Sequence, residues 1–258
     1  MKKHVKISPI MNPRIRISKK FLIVILSSLL VFACEDKASE LSRTNISSTS
    51  IPPSTSIKIL PLGDSITQGG RGFASYRRSL WFLLQDAGYK VDFIGSQNDF
   101  SGDVADDLKN FDLDHEGHWG WEAGELNKKL NDWLEDYTPD IVLLHAGTND
   151  FGREQSISST IQELASIIDK LRKDNSAVII LIAKIIPMKN KDTFSINQDI
   201  EALVNTKNAQ EAPVIIVDQY LGYEPFLDNH DNFHPNTLGE DKIANKWFNT
   251  LKNYLEKH

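Results

Sequence analysis

Five short runs rich in Val, Ile and Leu recur along this chain: Ile57–Leu62, Val91–Ile94, Ile141–His145, Val178–Ala183 and Val214–Val217. Each is of strand length and apolar almost without interruption, the pattern of a strand buried on both faces rather than one. The segments between them carry a helical period. Ser79–Ala87 ends at the stop signal Gly88, and Leu126, Leu130, Trp133 and Leu134 mark a second helix. Ile157, Ile161, Leu164, Ile168 and Leu171 mark a third, and Ile243, Trp247, Leu251 and Leu255 a last one. Doubly buried strands alternating with amphipathic helices predict a three-layer α/β domain around a five-stranded parallel sheet. In such sheets ligands bind beyond the carboxyl ends of the strands, so the residues that follow strands matter most.

The amino terminus reads differently. Residues 1–33 hold seven Lys and Arg, no acid, and then an apolar run from Phe21 to Ala33. That is the outline of a secretory signal, and the run falls short of the ~20 residues that a spanning helix needs. Met11 is a second candidate start. The run ends in Val31-Phe32-Ala33-Cys34, and Cys34 is the only cysteine, which excludes a disulfide framework. These four residues resemble the end of a bacterial lipoprotein signal, which implies lipid on Cys34, a membrane tether and exposure to the periplasm or cell surface. Residues 34–56 are rich in Ser and Thr with Pro52-Pro53, and read as a flexible linker, with the folded domain at 57–258. Without the first 33 residues the chain has 22 Lys and Arg against 35 Asp and Glu. So acidic a body argues against nucleic acid as a partner.

The first strand runs directly into Gly63-Asp64-Ser65, which presents Ser65 as a candidate nucleophile at the start of the next segment, where free amide N–H groups meet developing negative charge. A base is on offer in Asp231-Asn232-Phe233-His234. Three residues of turn can bring Asp231 onto the imidazole Nδ1 of His234 and leave Nε2 facing the serine. Acyl transfer also needs donors for the oxyanion. The backbone N–H of Ser65, the Gly120 N–H and the side chain of Asn149, in Gly147-Thr148-Asn149 after the third strand, can supply them. Asp150 reads as structural.

Taken in order, Gly63-Asp64-Ser65, Gly120, Gly147-Thr148-Asn149 and Asp231-Asn232-Phe233-His234 resemble the four motif blocks of the SGNH (GDSL) hydrolases, over about residues 57–258. The resemblance implies a flavodoxin-like α/β/α fold and ester hydrolysis through an acyl-serine, with no cofactor and no metal. It makes Ser65 the nucleophile, His234 the base, Asp231 its orienter, and Ser65, Gly120 and Asn149 the oxyanion hole. A narrower likeness, to acetylxylan-esterase-type carbohydrate esterases, is carried by Leu60–Gly70, Ser75-Tyr76-Arg77 with Leu80-Trp81, and His115–Trp121. It implies an acylated carbohydrate as substrate. Trp119 stands where those enzymes usually have a small residue.

Three tentative substrate contacts follow. Trp119 and Trp121 offer planes to a sugar ring, Trp121 being equally suited to core packing. Arg77 or Arg78 could bind an acidic substrate or could lie on a solvated helix face. His115, His118, His230 and His234 raise a zinc reading, but His115-Glu116-Gly117-His118 is one residue short of the helical metal motif, and the pair His230/His234 precedes a proline. Gly69-Gly70-Arg71-Gly72 lacks the lysine of a phosphate loop and reads as flexible surface. A lysophospholipase or thioesterase, and a surface carbohydrate-binding protein without turnover, are the alternatives. Oligomeric state has no signature in the sequence.

Overall fold

A computed structural model describes residues 56–208 and 212–257. The expected signal segment, Cys34 and all but the last linker residue lie outside the described residues. Strands β1 (Ile57–Gly63), β2 (Val91–Phe93), β3 (Glu116–Gly117), β4 (Ile141–His145), β5 (Ile179–Ala183) and β6 (Val214–Val217) form one sheet. The order is β2-β1-β4-β5-β6, all pairs are parallel, and the two-residue β3 is added on β1 beyond β2. The five expected strands are all present, and β3 is a sixth that was not expected. The order reverses at β1: the chain goes outward to β2, returns, and continues on the other side through β4. That reversal opens a crevice past the carboxyl ends of β1 and β4.

Alternation along the strands divides the core in two. Leu60, Leu62, Val142, Leu144, Ile180 and Ile182 point to one face, where they meet Leu126 and Leu130 of α3 (Ala123–Trp133), Leu164 and Ile168 of α5 (Ile157–Asp174), and Ile196 and Ile200 of α6 (Phe194–Lys207). Ile59, Leu143 and Leu181 point the other way onto Tyr76, Leu80 and Leu84 of α2 (Ser75–Asp86) and Ile243, Trp247 and Leu251 of α8 (Thr237–Leu255). Helix α2 begins four residues earlier than its apolar period announces, and α6 was not expected. Three short helices complete the set: α1 (Ser65–Gln68), α4 (Thr148–Gly152) and α7 (Pro225–Asp228).

β1 and β4 run in register to their ends, with Gly63 opposite His145. A Cβ on Gly63 would sit 2.3 Å from the His145 carbonyl oxygen and 2.5 Å from Thr67 Oγ1, so the approach of the two strand ends depends on its absence. Gly63→Ala is expected to lower stability by about 1–3 kcal/mol through overpacking, read as an earlier urea midpoint with unchanged slope. A midpoint equal to that of the wild type would show that the two strand ends part freely.

Candidate active site

Asp64 follows β1 and caps α1, its Oδ1 accepting the Ile66 N–H at 2.9 Å. Ser65 therefore occupies the first helical position, where the backbone N–H has no partner inside the helix. Burial, with the charge of Asp150 adding to it, raises the Asp64 carboxyl to about 7. The far end of α1 is held by α2. Ser75 Oγ lies 3.0 Å from the Ile66 carbonyl and 2.9 Å from that of Thr67, and Ser75 N–H donates to Glu240 Oε1 at 2.7 Å.

Arg77 completes this clamp. It is fully buried and donates from Nε to Thr67 O (2.8 Å), from Nη2 to Gln68 O (3.0 Å) and from Nη1 to Leu113 O (2.7 Å). Burial lowers its pKa to about 10, which leaves it charged at neutral pH, against the carbonyl end of α1. Both readings of Arg77 from sequence are corrected: it is neither a substrate contact nor on a solvated face, because its ligands are backbone oxygens of the nucleophile turn.

The loop after α7 brings up the base. Asp231 Oδ1 accepts the N–H groups of Phe233 (2.8 Å) and His234 (2.7 Å), which folds the tetrapeptide back on itself. Its Oδ2 accepts His234 Nδ1–H at 2.7 Å, and His234 Nε2 accepts the Ser65 hydroxyl at 2.9 Å. Against the opposing effect of burial, the hydrogen bonds from His234 and Phe233 lower the Asp231 carboxyl to about 2, so it is ionised across any ordinary working pH. The tautomer follows: an ionised Asp231 holds the proton on Nδ1, and Nε2 is free to take the serine's.

The three expected oxyanion donors come from adjacent turns. Gly120 has φ +77°, and an added Cβ there would meet only the Arg153 guanidinium, at 3.6 Å, so side-chain space at this turn is open. Asn149 Nδ2 donates to the Trp121 carbonyl at 2.8 Å, tying the turn after β4 to the Gly120 turn and leaving its second N–H unused. Asp150 is structural as expected, both carboxylate oxygens accepting Ala123 N–H at the start of α3.

Several neighbours escaped the sequence reading. Gln68 Oε1 accepts the Trp119 N–H at 2.9 Å, while its Nε2 donates to Asp99 at 3.1 Å. Trp119 thereby lies flat on His234, with ring centres 4.4 Å apart and planes 21° apart. Trp121 takes the packing role, stacked on His118 at 4.2 Å and set against the α3 side of the core. His118 Nε2–H donates to Glu116 (2.8 Å), which also accepts from Tyr137 (2.6 Å), so a buried carboxylate backs β3. The expected flexible surface at Gly69–Gly72 is corrected: Gly69 and Gly70 are buried, only Arg71 and Gly72 are exposed, and the loop is pinned, with Gly70 N–H and Phe73 N–H exchanging bonds, Arg71 N–H donating to Ser101 O and Gly72 N–H to Asp103 O. Phe73 stacks on His230 at 4.3 Å. Ser65, Ile66, Gly69, Gly70, Phe73, Trp119, His230 and His234 line a cleft of about 230 Å³, counting its open mouth.

Among the described residues, His230, Asp231 and His234 bring three potential metal-ligand atoms within 4.8 Å of one another. Two of the three residues are engaged in the Ser65 relay. His115 is occupied too, Nδ1 accepting Gly117 N–H and Nε2–H donating to Asp99 O, and burial lowers its pKa to about 2.

Residues 62–242 match the family model described as GDSL-like Lipase/Acylhydrolase. A multidomain esterase of Ruminococcus flavefaciens is 29% identical over 225 residues, covering 78% of this chain and 29% of that protein. A protein described as a putative endoglucanase X, from Acetivibrio thermocellus, is 25% identical over 48% of this chain and 55% of its own length, so the chain spans a minor share of one and about half of the other. Among solved structures, a carbohydrate esterase family 3 protein of Talaromyces cellulolyticus superposes with TM-score 0.71 at 30% identity, over 78% of this chain and 99% of that one. A family 3 carbohydrate esterase of Clostridium thermocellum gives 0.69 at 30% identity, over 79% and 98%.

Asp231→Asn keeps the shape of the pair but no longer fixes the proton on Nδ1. It is expected to reduce kcat for a simple acetate ester by on the order of 10² to 10⁴ with an unchanged circular dichroism spectrum. A rate within twofold of the wild type would remove Asp231 from the site.

Proposed function

This chain belongs to the GDSL-like Lipase/Acylhydrolase family, and we propose that it hydrolyses esters, those esters being acetyl groups carried on carbohydrate. The observation that carries the reading is the unbroken relay from Asp231 through His234 to Ser65, at 2.7 and 2.9 Å, on the floor of a small cleft. Ser65 Oγ attacks the acyl carbonyl while its proton passes to His234 Nε2, and Asp231 stabilises the imidazolium that results. The carbonyl oxygen takes the developing charge against the N–H groups of Ser65, Gly120 and Asn149. His234 then protonates the departing sugar oxygen, leaving an acetyl-serine. A water deprotonated by His234 releases acetate and restores the serine. The cleft's wall of Phe73, Trp119 and His230 suits the planes of a sugar ring.

The test is a substrate panel of acetylated xylan, acetylated monosaccharides, long-chain acyl esters and acyl-CoA. Acetylated carbohydrate is expected to be cleaved fastest, Ser65→Ala to abolish turnover, and Asn149→Ala to lower kcat by ~10²–10³. Faster cleavage of long-chain esters would move the substrate to lipid, and a folded domain that binds glycan without turnover would remove catalysis.

We also propose export and lipid attachment at Cys34, on the basic leader and the apolar run before it. Among the described residues no helix is long and apolar enough to cross a membrane. Made in a bacterial host, the full chain is expected in the membrane fraction, and Cys34→Ser in the soluble or unprocessed one. Equal membrane retention of both would assign the anchor elsewhere.

A further inference from the structure

We propose that the mouth of the cleft carries a carboxylate-recognition position, Arg71, so that the preferred esters are acetylated acidic sugars, those bearing a uronate carboxylate on the acetylated ring. The proposal rests on the carbohydrate-ester reading above and narrows its substrate class.

Arg71 is exposed at the apex of the pinned Gly69–Phe73 loop, with φ 53°. Its backbone is held by Ser101 O at 3.1 Å, and Gly72 beside it by Asp103 O at 2.9 Å, so the root of the side chain is fixed. Its guanidinium carbon lies 4.6 Å from the centre of the Trp119 ring, and the same indole stacks on His234 at 4.4 Å. The Trp119 indole thus contacts both guanidinium and imidazole, which sets a permanent cation one ring away from the candidate base. A guanidinium lying on an aromatic plane keeps its edge N–H groups in its own plane, where a carboxylate can accept two of them side by side.

What marks Arg71 out is that this edge is free. Among the described residues no carboxylate pairs with it, whereas Arg153 is bonded to Glu122 at 3.0 Å, Arg78 to Asn110 at 3.1 Å and Arg77 to three carbonyls. The acids of the cleft are themselves occupied: Asp231 by His234 and two backbone N–H groups, Glu240 by the Ser75 N–H. A second cation, Lys189, belongs to the segment whose backbone N–H donates to Asn232 O at 3.2 Å, on the loop that carries His230 and His234. Trp119 stands where the likeness to acetylxylan-esterase-type enzymes puts a small residue, and without that indole the guanidinium would have no plane to rest on. In a body with an excess of acid, an unpaired arginine over the catalytic stack is a local reversal of sign that only an anionic substrate exploits.

The experiment compares kcat/KM for an acetylated methyl glucuronoside with that for its neutral twin, an acetylated methyl glucoside with the ester at the same position. It uses the wild-type protein, Arg71→Gln and Arg71→Lys. The wild type is expected to favour the uronate by about threefold to tenfold, through KM and less so at high salt. In Arg71→Gln the ratio of the two is expected to fall to about one, and in Arg71→Lys to an intermediate value, since an ammonium supplies charge without the fork. Equal rates on both sugars in the wild type, or an unchanged ratio in Arg71→Gln, overturns the assignment of Arg71 and leaves the carbohydrate-esterase reading standing. Cleavage of neither sugar beside active turnover of long-chain esters overturns both.

Discussion

The contact between the ends of β1 and β4, where Gly63 lies against the His145 carbonyl with no room for a Cβ, is the constraint on which the site depends. It brings the turn that carries Ser65 beside the turn that carries Asn149, at the point where the sheet order reverses. Every other element then has a defined task relative to that point. Helix α2 holds the carbonyl end of α1 through Ser75 and Arg77, and β3 leads into the Gly120 turn. Helix α8 offers Glu240 to the Ser75 N–H and follows directly from the His234 loop. Ser65 and His234 are 169 residues apart in the chain, and the sheet closes that distance to one hydrogen bond.

The arrangement keeps several carboxyl groups away from water. Asp64 and Glu240 are raised to about 7, and Asp150 to about 6, in each case by burial first. Each accepts at least one backbone N–H: from Ile66, Ser75 and Ala123 respectively. They act as caps and ties on the turns around the cleft, where a short side-chain acceptor fixes backbone that has no secondary-structure partner. Asp231 differs in direction. Partly exposed and bonded to an imidazole and two N–H groups, it is lowered to about 2, and the carboxyl of the four held furthest below neutrality is the one paired with His234.

Much of this was legible in the amino-acid order because it rests on local pattern. Val- and Ile-rich runs gave up five of the six strands, and the Asp231–His234 spacing announced its own turn. What stayed hidden depends on partners far away in sequence. β3 is two residues long, too short to have a pattern, and is a strand only because β1 extends past β2 to meet it. Arg77 looks like surface on any helical wheel that ignores α1, since its ligands are carbonyls of Thr67, Gln68 and Leu113 rather than acids. Trp119 and Trp121 are two residues apart in one motif, yet one lies on the catalytic ring and the other on His118; the turn at Gly120 separates them. The Gly-rich loop read as loose because its composition is permissive, while its order comes from Ser101 and Asp103 across the gap.

The stack of Trp119 on His234 has a consequence for the timing of disorder. An imidazole on a loop ordinarily samples rotations about its own side chain, and each turnover would then include a search for the one orientation that faces the serine. Here one ring face is covered by indole and Nδ1 is tethered to Asp231, so the search is completed once, when the chain folds. The entropy of aligning the imidazole is lost at folding and not again in each cycle, and the Ser65 hydroxyl is aligned in turn by its 2.9 Å bond to Nε2.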